Sequence, residues 1–317
     1  MMFRRDKVVN WALLVVVIAG AGRAELTLVP DRLALDVLVW VNASWWRSEQ
    51  AGLAQSEFVI ERVAAPAGLT GRLSPVASLR VSGDISVLQP QDLYVDLRWS
   101  NGFGLRVGQF LLPLGMDAMA DFRYQKMVNN SFLAAYAKPA GGRDIGVMGT
   151  WERKGLSAAA AVVNGAGGNA GDNNDRKDLC GRVTARPFPG TGLVLALHGY
   201  CGWPDVPESA WRTLGAEMAW ESGPIVAQTE IQDQRYLDTR SFTSYVQFAY
   251  AAGLVEPCAR FDLVRLNAQK PDLMLMGGVN LRPIGDNVRA MFDCFYRRNY
   301  QGNWSVYGFV LCLQAAI

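Results

Sequence analysis

Apolar and polar residues alternate with a period of two along most of this chain. Leu93, Val95, Leu97 and Trp99 share one face, and Tyr94, Asp96 and Arg98 take the other. Val255 to Leu263 repeats the pattern: Val255, Pro257, Ala259, Phe261 and Leu263 oppose Glu256, Cys258, Arg260 and Asp262. Phe242 to Tyr250 and Ile225 to Ile231 follow it less cleanly. Such alternation belongs to strands with one apolar and one polar face, so the chain reads as all-β. Tight-turn signals such as Asn101-Gly102-Phe103-Gly104, Glu152-Arg153-Lys154-Gly155 and Pro189-Gly190-Thr191-Gly192 separate the runs. Together they predict about sixteen strands. These start near residues 34, 57, 75, 92, 104, 143, 156, 179, 193, 210, 224, 242, 255, 272, 288 and 304. Every second connection is a short turn, with 62–74 as the exception. Those between are mostly longer, notably 115–142, 165–178 and 233–241. Short turns at one rim and long loops at the other are the mark of a transmembrane antiparallel β-barrel with periplasmic turns and extracellular loops.

The first 24 residues read as an export signal: Arg4, Arg5 and Lys7, an apolar stretch from Trp11 to Ala19, then Gly22-Arg23-Ala24. The apolar stretch is shorter than the roughly 20 residues a spanning helix needs. Cleavage before Glu25 would leave residues 25–317 as one barrel domain. It would also remove four basic residues and one acidic one, taking the formal charge from +2 to −1. That balance lacks the basic excess of a nucleic-acid partner. Ten tryptophans, many near strand ends (Trp45, Trp46, Trp99, Trp151, Trp211, Trp220, Trp304), suit the headgroup level of a bilayer better than a soluble periplasmic β-sandwich binding protein. Cys180, Cys201, Cys258, Cys294 and Cys312 stand singly, without zinc-ligand spacing. Alternation directs Cys180 inward and Cys201 toward lipid, so no disulfide is expected between them.

Motifs with catalytic or ligand-binding chemistry are weak. Gly165-Ala166-Gly167-Gly168-Asn169-Ala170 fits a nucleotide-loop spacing, but an acidic loop follows instead of a helix. Asp172-Asn173-Asn174-Asp175 is oxygen-rich, but Lys177 and Val183 stand where a calcium loop needs Gly and Glu. His198, the single histidine, falls on an inward face and reads as an ordinary lumen position. No enzyme, cofactor or metal is expected on these grounds. The inward faces carry Arg80, Arg98, Arg106, Arg182, Arg186, Arg260, Arg289 and Arg297 against Asp36, Asp84, Asp96, Glu217, Glu221, Glu230, Glu256, Asp262 and Asp293. Two readings stay open: cross-strand pairing that hydrates a lumen, or a basic ladder that attracts anions.

The loop from Gly115 to Gly142 exceeds the roughly 12–15 residues usual for an unstructured connection. Exposing Met116, Met119, Phe122, Tyr124, Met127, Phe132, Leu133 and Tyr136 would be costly, so the loop is expected to fold into the barrel and form a constriction. Within it, Arg123, Lys126 and Lys138 face Asp117 and Asp121. The expected pore-lining or constriction residues are therefore Arg98, Arg106, Arg123, Lys126, Arg182, Arg186, Arg260, Arg289 and Arg297. The expected partners are outer-membrane lipid and small hydrophilic or anionic solutes. A plugged structural or surface-binding barrel is the alternative.

Several runs, taken in order, resemble the phosphate-selective porin O and P family. They are Asp92 to Trp99, Leu105-Arg106-Val107-Gly108-Gln109-Phe110-Leu111-Leu112-Pro113-Leu114-Gly115, Arg143-Asp144-Ile145-Gly146, Val163-Asn164-Gly165, and Asp172 to Val183. The likeness spans roughly residues 33–314 and departs at Leu111 and Leu112, where members often carry Lys. It implies a sixteen-stranded homotrimeric porin with an inward-folded third loop.

Overall fold

The computed structural model describes residues 26–29, 32–50, 53–136, 142–203, 210–284 and 287–316. The expected signal segment, 1–24, lies outside them. The strands are β1 (Leu26–Val29), β2 (Leu33–Gln50), β3 (Leu53–Ala64), β4 (Pro66–Arg72), β5 (Ala77–Asp84), β6 (Gln89–Arg98), β7 (Phe103–Leu111), β8 (Arg143–Arg153) and β9 (Leu156–Val163). There follow β10 (Asp178–Ala185), β11 (Leu193–Gly202), β12 (Trp211–Ser222), β13 (Ile225–Tyr236), β14 (Thr239–Tyr250), β15 (Val255–Leu266), β16 (Asp272–Ile284), β17 (Val288–Asn299) and β18 (Trp304–Ala316). Two short helices, α1 (Met116–Met119) and α2 (Phe132–Tyr136), lie between β7 and β8. No described helix is long and apolar enough to cross a membrane.

From β4 onward each strand pairs antiparallel with the next, β2 pairs with β1, β3 and β4, and β18 returns to β2 from Trp304↔Gln50 to Ala316↔Leu38. The sheet is therefore closed. β3 and β4 both pair with β2 and act as one strand, so the barrel has 16 strands around its circumference, with β1 added to the start of β2. Both ends of the barrel chain reach the rim of short turns. The three longest connections, 112–142, 164–177 and 203–210, lie at the opposite rim.

The predicted alternation is the alternation of burial. In β15, Glu256, Cys258, Arg260 and Asp262 are buried inward while Val255, Pro257, Ala259 and Phe261 are exposed outward. In β6, Leu93, Val95 and Trp99 face out and Asp96 faces in. A soluble protein would not expose Phe58, Leu197, Leu214, Phe248, Leu275 and Leu313 around its whole girth; a lipid-facing surface would. Opposed register also puts Cys201 against Leu179 and Cys180 against Tyr200, on opposite faces as the alternation predicts.

Two expected boundaries need correction. The segment 62–74 is not a connection but mostly strand. Pro66 has no N–H to give, and pairing with β2 lapses between Ala64 and Ala67, where the Ala65 N–H donates to Asp84 Oδ1 at 3.1 Å. The segment 233–241 is not a long loop either. β13 and β14 pair to Tyr236↔Thr239, leaving a two-residue turn in which Leu237 has φ 52°. Its polar run reads as loop because Gln232 and Gln234 point into the lumen, where a polar side chain is the rule.

A sheet without edges does not fray. Unboiled samples in detergent should therefore migrate differently from boiled ones on a gel. Identical migration, with no strand signal in the far-ultraviolet spectrum, would count against the closed barrel.

Candidate pore constriction

Residues 112–136, after β7, fold inward against the inner wall of β13 to β18. Their apolar side chains drive part of this. Met127 and Phe132 pack with Cys258, Val264, Met274 and Met276; Leu133 packs on Tyr245; Phe122 and Val128 join Trp40, Met291 and Cys312. Trp40 and Phe122 pack with tilted rings, centroids 4.6 Å apart. Tyr124, expected to be buried with the others, remains exposed. The Tyr136 side chain and Lys138 lie outside the described residues.

Charged wall residues satisfy the loop's backbone. Glu230 Oε2 accepts the N–H groups of Met116 (3.1 Å) and Asp117 (3.4 Å) at the start of α1. Asp293 Oδ2 accepts from Val128 N at 2.7 Å, and Asp262 Oδ1 from Phe132 N at 3.1 Å. Arg260 donates to the carbonyls of Asn129 (2.8 Å) and Asn130 (3.0 Å), and Arg289 to those of Arg123 (2.6 Å) and Gln125 (2.7 Å). Asn280 donates to Lys126 O at 2.9 Å, while Lys126 Nζ reaches Glu256 Oε2 at 3.0 Å. Within the loop, Asp117 Oδ2 accepts both the N–H and the hydroxyl of Ser131 at 2.8 Å.

The lumen that remains lies on the other side of the loop. A cavity of about 500 Å³ separates residues 118–125 from the wall of β2 and β4 to β7, and a second of about 430 Å³ extends toward the short-turn rim. Met119 lines both. In the first, Arg80 pairs with Asp36 (2.5 and 3.1 Å), Arg143 with Asp92 (2.8 Å) and Arg123 with Asp121 (2.5 and 3.0 Å). The hydrogen bond from Arg123 to Asp121 raises the guanidinium's pKa further above its ordinary value, so this loop cation is charged at any working pH. Arg98 and Arg182 line the second cavity with Glu152.

The nine expected residues thus separate by position. Arg98, Arg123 and Arg182 border the open cavities. Arg106 donates to Asp96 at 3.2 Å and lies 4.0 Å over the Tyr94 ring. Arg182 forms a fork onto Glu217. Arg297 is bound to Asp272 (2.6 and 3.1 Å) near the long-loop rim, and Arg186 is exposed just past the end of β10. Arg260 and Arg289 are buried beneath the loop and Lys126 is tied to Glu256, so these three hold the loop rather than face the open path. Cross-strand pairing, not an unpaired basic ladder, is the arrangement observed.

Sequence reasoning did not single out Arg80 and Arg143. Arg80 sits in the expected inward set, undistinguished from its neighbours. Arg143 opens β8 directly after a long loop, where alternation does not yet fix a side chain's direction. The runs that carried the family resemblance serve mainly as joints. Gly108 has φ 131°, and a Cβ there would lie 2.2 Å from Leu93 O. Gln109 accepts the N–H of Asn169 at 2.6 Å and donates to Gln91 O at 2.7 Å. Asp144 accepts the N–H groups of Gly165 (2.8 Å) and Gly167 (3.3 Å). In the acidic loop, a hydrogen bond from Lys177 holds the exposed Asp172 carboxyl below the usual range.

No family model and no curated sequence matches the chain. Among solved structures it is similar to the anion-selective porin from Comamonas acidovorans (TM-score 0.68, 13% identity, 90% of this chain and 99% of that one). It is also similar to OmpT, an outer-membrane protein of Vibrio cholerae (0.65, 11%, 92% and 100%), and to the outer-membrane channel DcaP of Acinetobacter baumannii (0.63, 8%, 91% and 99%). At these identities the likeness establishes the fold: a barrel of the outer-membrane porin type.

Arg289→Met should destabilise the barrel by about 3–5 kcal/mol, because it strands two loop carbonyls and a buried glutamate. Arg98→Met, which removes a largely exposed guanidinium from an aspartate that Arg106 still holds, should cost less than about 1 kcal/mol. The temperature at which the unboiled gel form is lost compares the two; equal shifts would refute the anchoring role of Arg289.

Proposed function

We propose that this protein is a passive, water-filled diffusion channel for small hydrophilic solutes in a bacterial outer membrane, assembled as a homotrimer. The observation that carries the reading is the pinned loop, which fills one side of the lumen and leaves polar cavities opposite. A fixed constriction of this kind selects by size, and its charges tune what passes. No catalytic step or cofactor enters the mechanism.

The preference among ions is weak and toward anions. Arg80, Arg98, Arg123, Arg143 and Arg182 line the two cavities against Asp36, Asp92, Asp121 and Glu152, an excess of one positive charge. Because Arg80, Arg123 and Arg143 each hold an aspartate, this wall suits transit more than retention of a phosphate. The finer placement in the O and P family rests on the residue runs given above. The trimer rests on the same resemblance and on the trimer form of Vibrio cholerae OmpT.

Single-channel recording in a planar bilayer under a salt gradient tests this. The protein should give a steady open current with a reversal potential slightly toward anions; a plugged barrel would give none. Deleting residues 120–138 should raise the conductance. Arg123→Glu should move the reversal potential toward cations and Asp36→Asn toward anions. Correctly folded variants with unchanged conductance and reversal potential would remove the constriction role.

A further inference from the structure

One cluster in the wall is not accounted for by passage or by ordinary pairing. Glu217 of β12 and Glu230 of β13 are direct cross-strand partners, and both are buried. Like charges directly opposite one another are unfavourable even on an exposed sheet. Arg182 and His198 compensate Glu217: the guanidinium forks onto it, and His198 Nδ1 lies 2.8 Å from its Oε1. Among the described residues no arginine or lysine pairs with Glu230. Its Oε2 accepts the two N–H groups at the start of α1, while its Oε1 is fully buried and has no hydrogen-bond partner.

That oxygen faces the imidazole of His198. In the tautomer whose Nδ1–H donates to Glu217, the imidazole presents its Nε2 lone pair on the far side. There it meets Gln232 Oε1 at 3.3 Å and Glu230 Oε1 at 3.9 Å. The Gln232 amide group donates the other way, to Gln234 Oε1 at 3.2 Å, which leaves its oxygen turned toward the ring. Two oxygens therefore approach one ring nitrogen. Gly215, the register partner of both His198 and Gln232, makes room for the ring: a Cβ there would lie 2.2 Å from its Nε2.

We propose that His198 Nε2, Glu230 Oε1 and Gln232 Oε1 bind a divalent first-row transition-metal ion of the zinc class. Bonds of about 2.0–2.1 Å at tetrahedral angles put ligand atoms about 3.3 Å apart. The nitrogen–glutamine pair is at that spacing, and the glutamate oxygen must close by about half an ångström. One nitrogen, one carboxylate and one amide oxygen suit zinc or cobalt better than a soft or an all-oxygen ion. Glu217 is a positioning residue: it holds Nδ1–H and aims the ring, as carboxylates behind metal-bound histidines do, and Arg182 holds Glu217 in turn. The ion would neutralise the paired glutamates and brace the first turn of the constriction loop through Glu230.

The site itself needs only the geometry; its effect on current rests on the channel reading. Full-length protein, stripped with a chelator and purified in detergent, would be titrated with Zn²⁺ by calorimetry and with Co²⁺ by visible absorption. One equivalent of each should bind, with a cobalt ligand-field band. His198→Ala and Glu230→Gln should each weaken binding tenfold or more. Glu217→Gln should weaken it by about 10–100-fold through loss of ring orientation. Glu256→Gln, at another buried glutamate, on β15 beneath the loop, should leave it unchanged. Absence of saturable one-to-one binding in the unmutated protein overturns the site, whatever the variants do; so does binding that persists in folded His198→Ala. A preparation that conducts but takes up no zinc refutes the site alone, and one that binds zinc without conducting upholds the site and refutes the pore.

Discussion

A polypeptide that enters a barrel's lumen gives up water, and each backbone N–H and C=O it buries must find another partner. In this protein that requirement falls on one side of the wall. Glu230, Asp262 and Asp293 take N–H groups, and Arg260, Arg289 and Asn280 take carbonyls. The dependence is mutual, since without the loop the same carboxylates and guanidiniums would have to pair with one another or with water. Apolar contacts place the loop, but they are non-directional. The charge-assisted hydrogen bonds, stronger than neutral ones, set which residues face the open lumen.

From this asymmetry follows the division of the interior. The half under the loop contains fully buried ionic side chains, such as Glu256 ringed by Lys126, Arg282 and Arg289. The opposite half keeps its Arg–Asp pairs partly wetted, as with Arg80 and Asp36. One composition, nearly balanced in sign, thus serves two purposes. Against the loop it is a set of anchors; across the cavity it is a hydrated lining with a small positive excess.

The stem of the loop is held as firmly as its middle. Gly108 lets β7 approach β6 where any side chain would meet the Leu93 carbonyl, and Asp144 ties the following loop to the start of β8. These joints sit in the residue runs that resembled a known porin family. The resemblance therefore reports how the barrel's long-loop rim is built more than what passes through it, which is consistent with a likeness to solved porins that is strong in fold and weak in sequence.

Period-two alternation determined the strand class and the face of nearly every side chain, because lipid on one side and water on the other leave each strand residue a single favourable direction; with the turn signals and the spacing of connections it also determined the sixteen-strand barrel. Starts such as 143, 156, 193, 255, 272, 288 and 304 coincide with the observed strands. The loop's apolar content announced that it turns inward. Pattern reading failed where local chemistry was overridden: Pro66 is carried inside a paired strand, and Gln232 and Gln234 look like a loop until the lumen is there to receive them. Only the tertiary structure decided which inward arginines hold the loop and which face the open path, since Arg260 and Arg182 have the same alternation and differ only in what is packed over them. It alone brought His198, Glu217, Glu230 and Gln232 together from three strands. Their separations along the chain are set by turn and strand lengths, so no ligand spacing could reveal them; proximity across a sheet is a property of register.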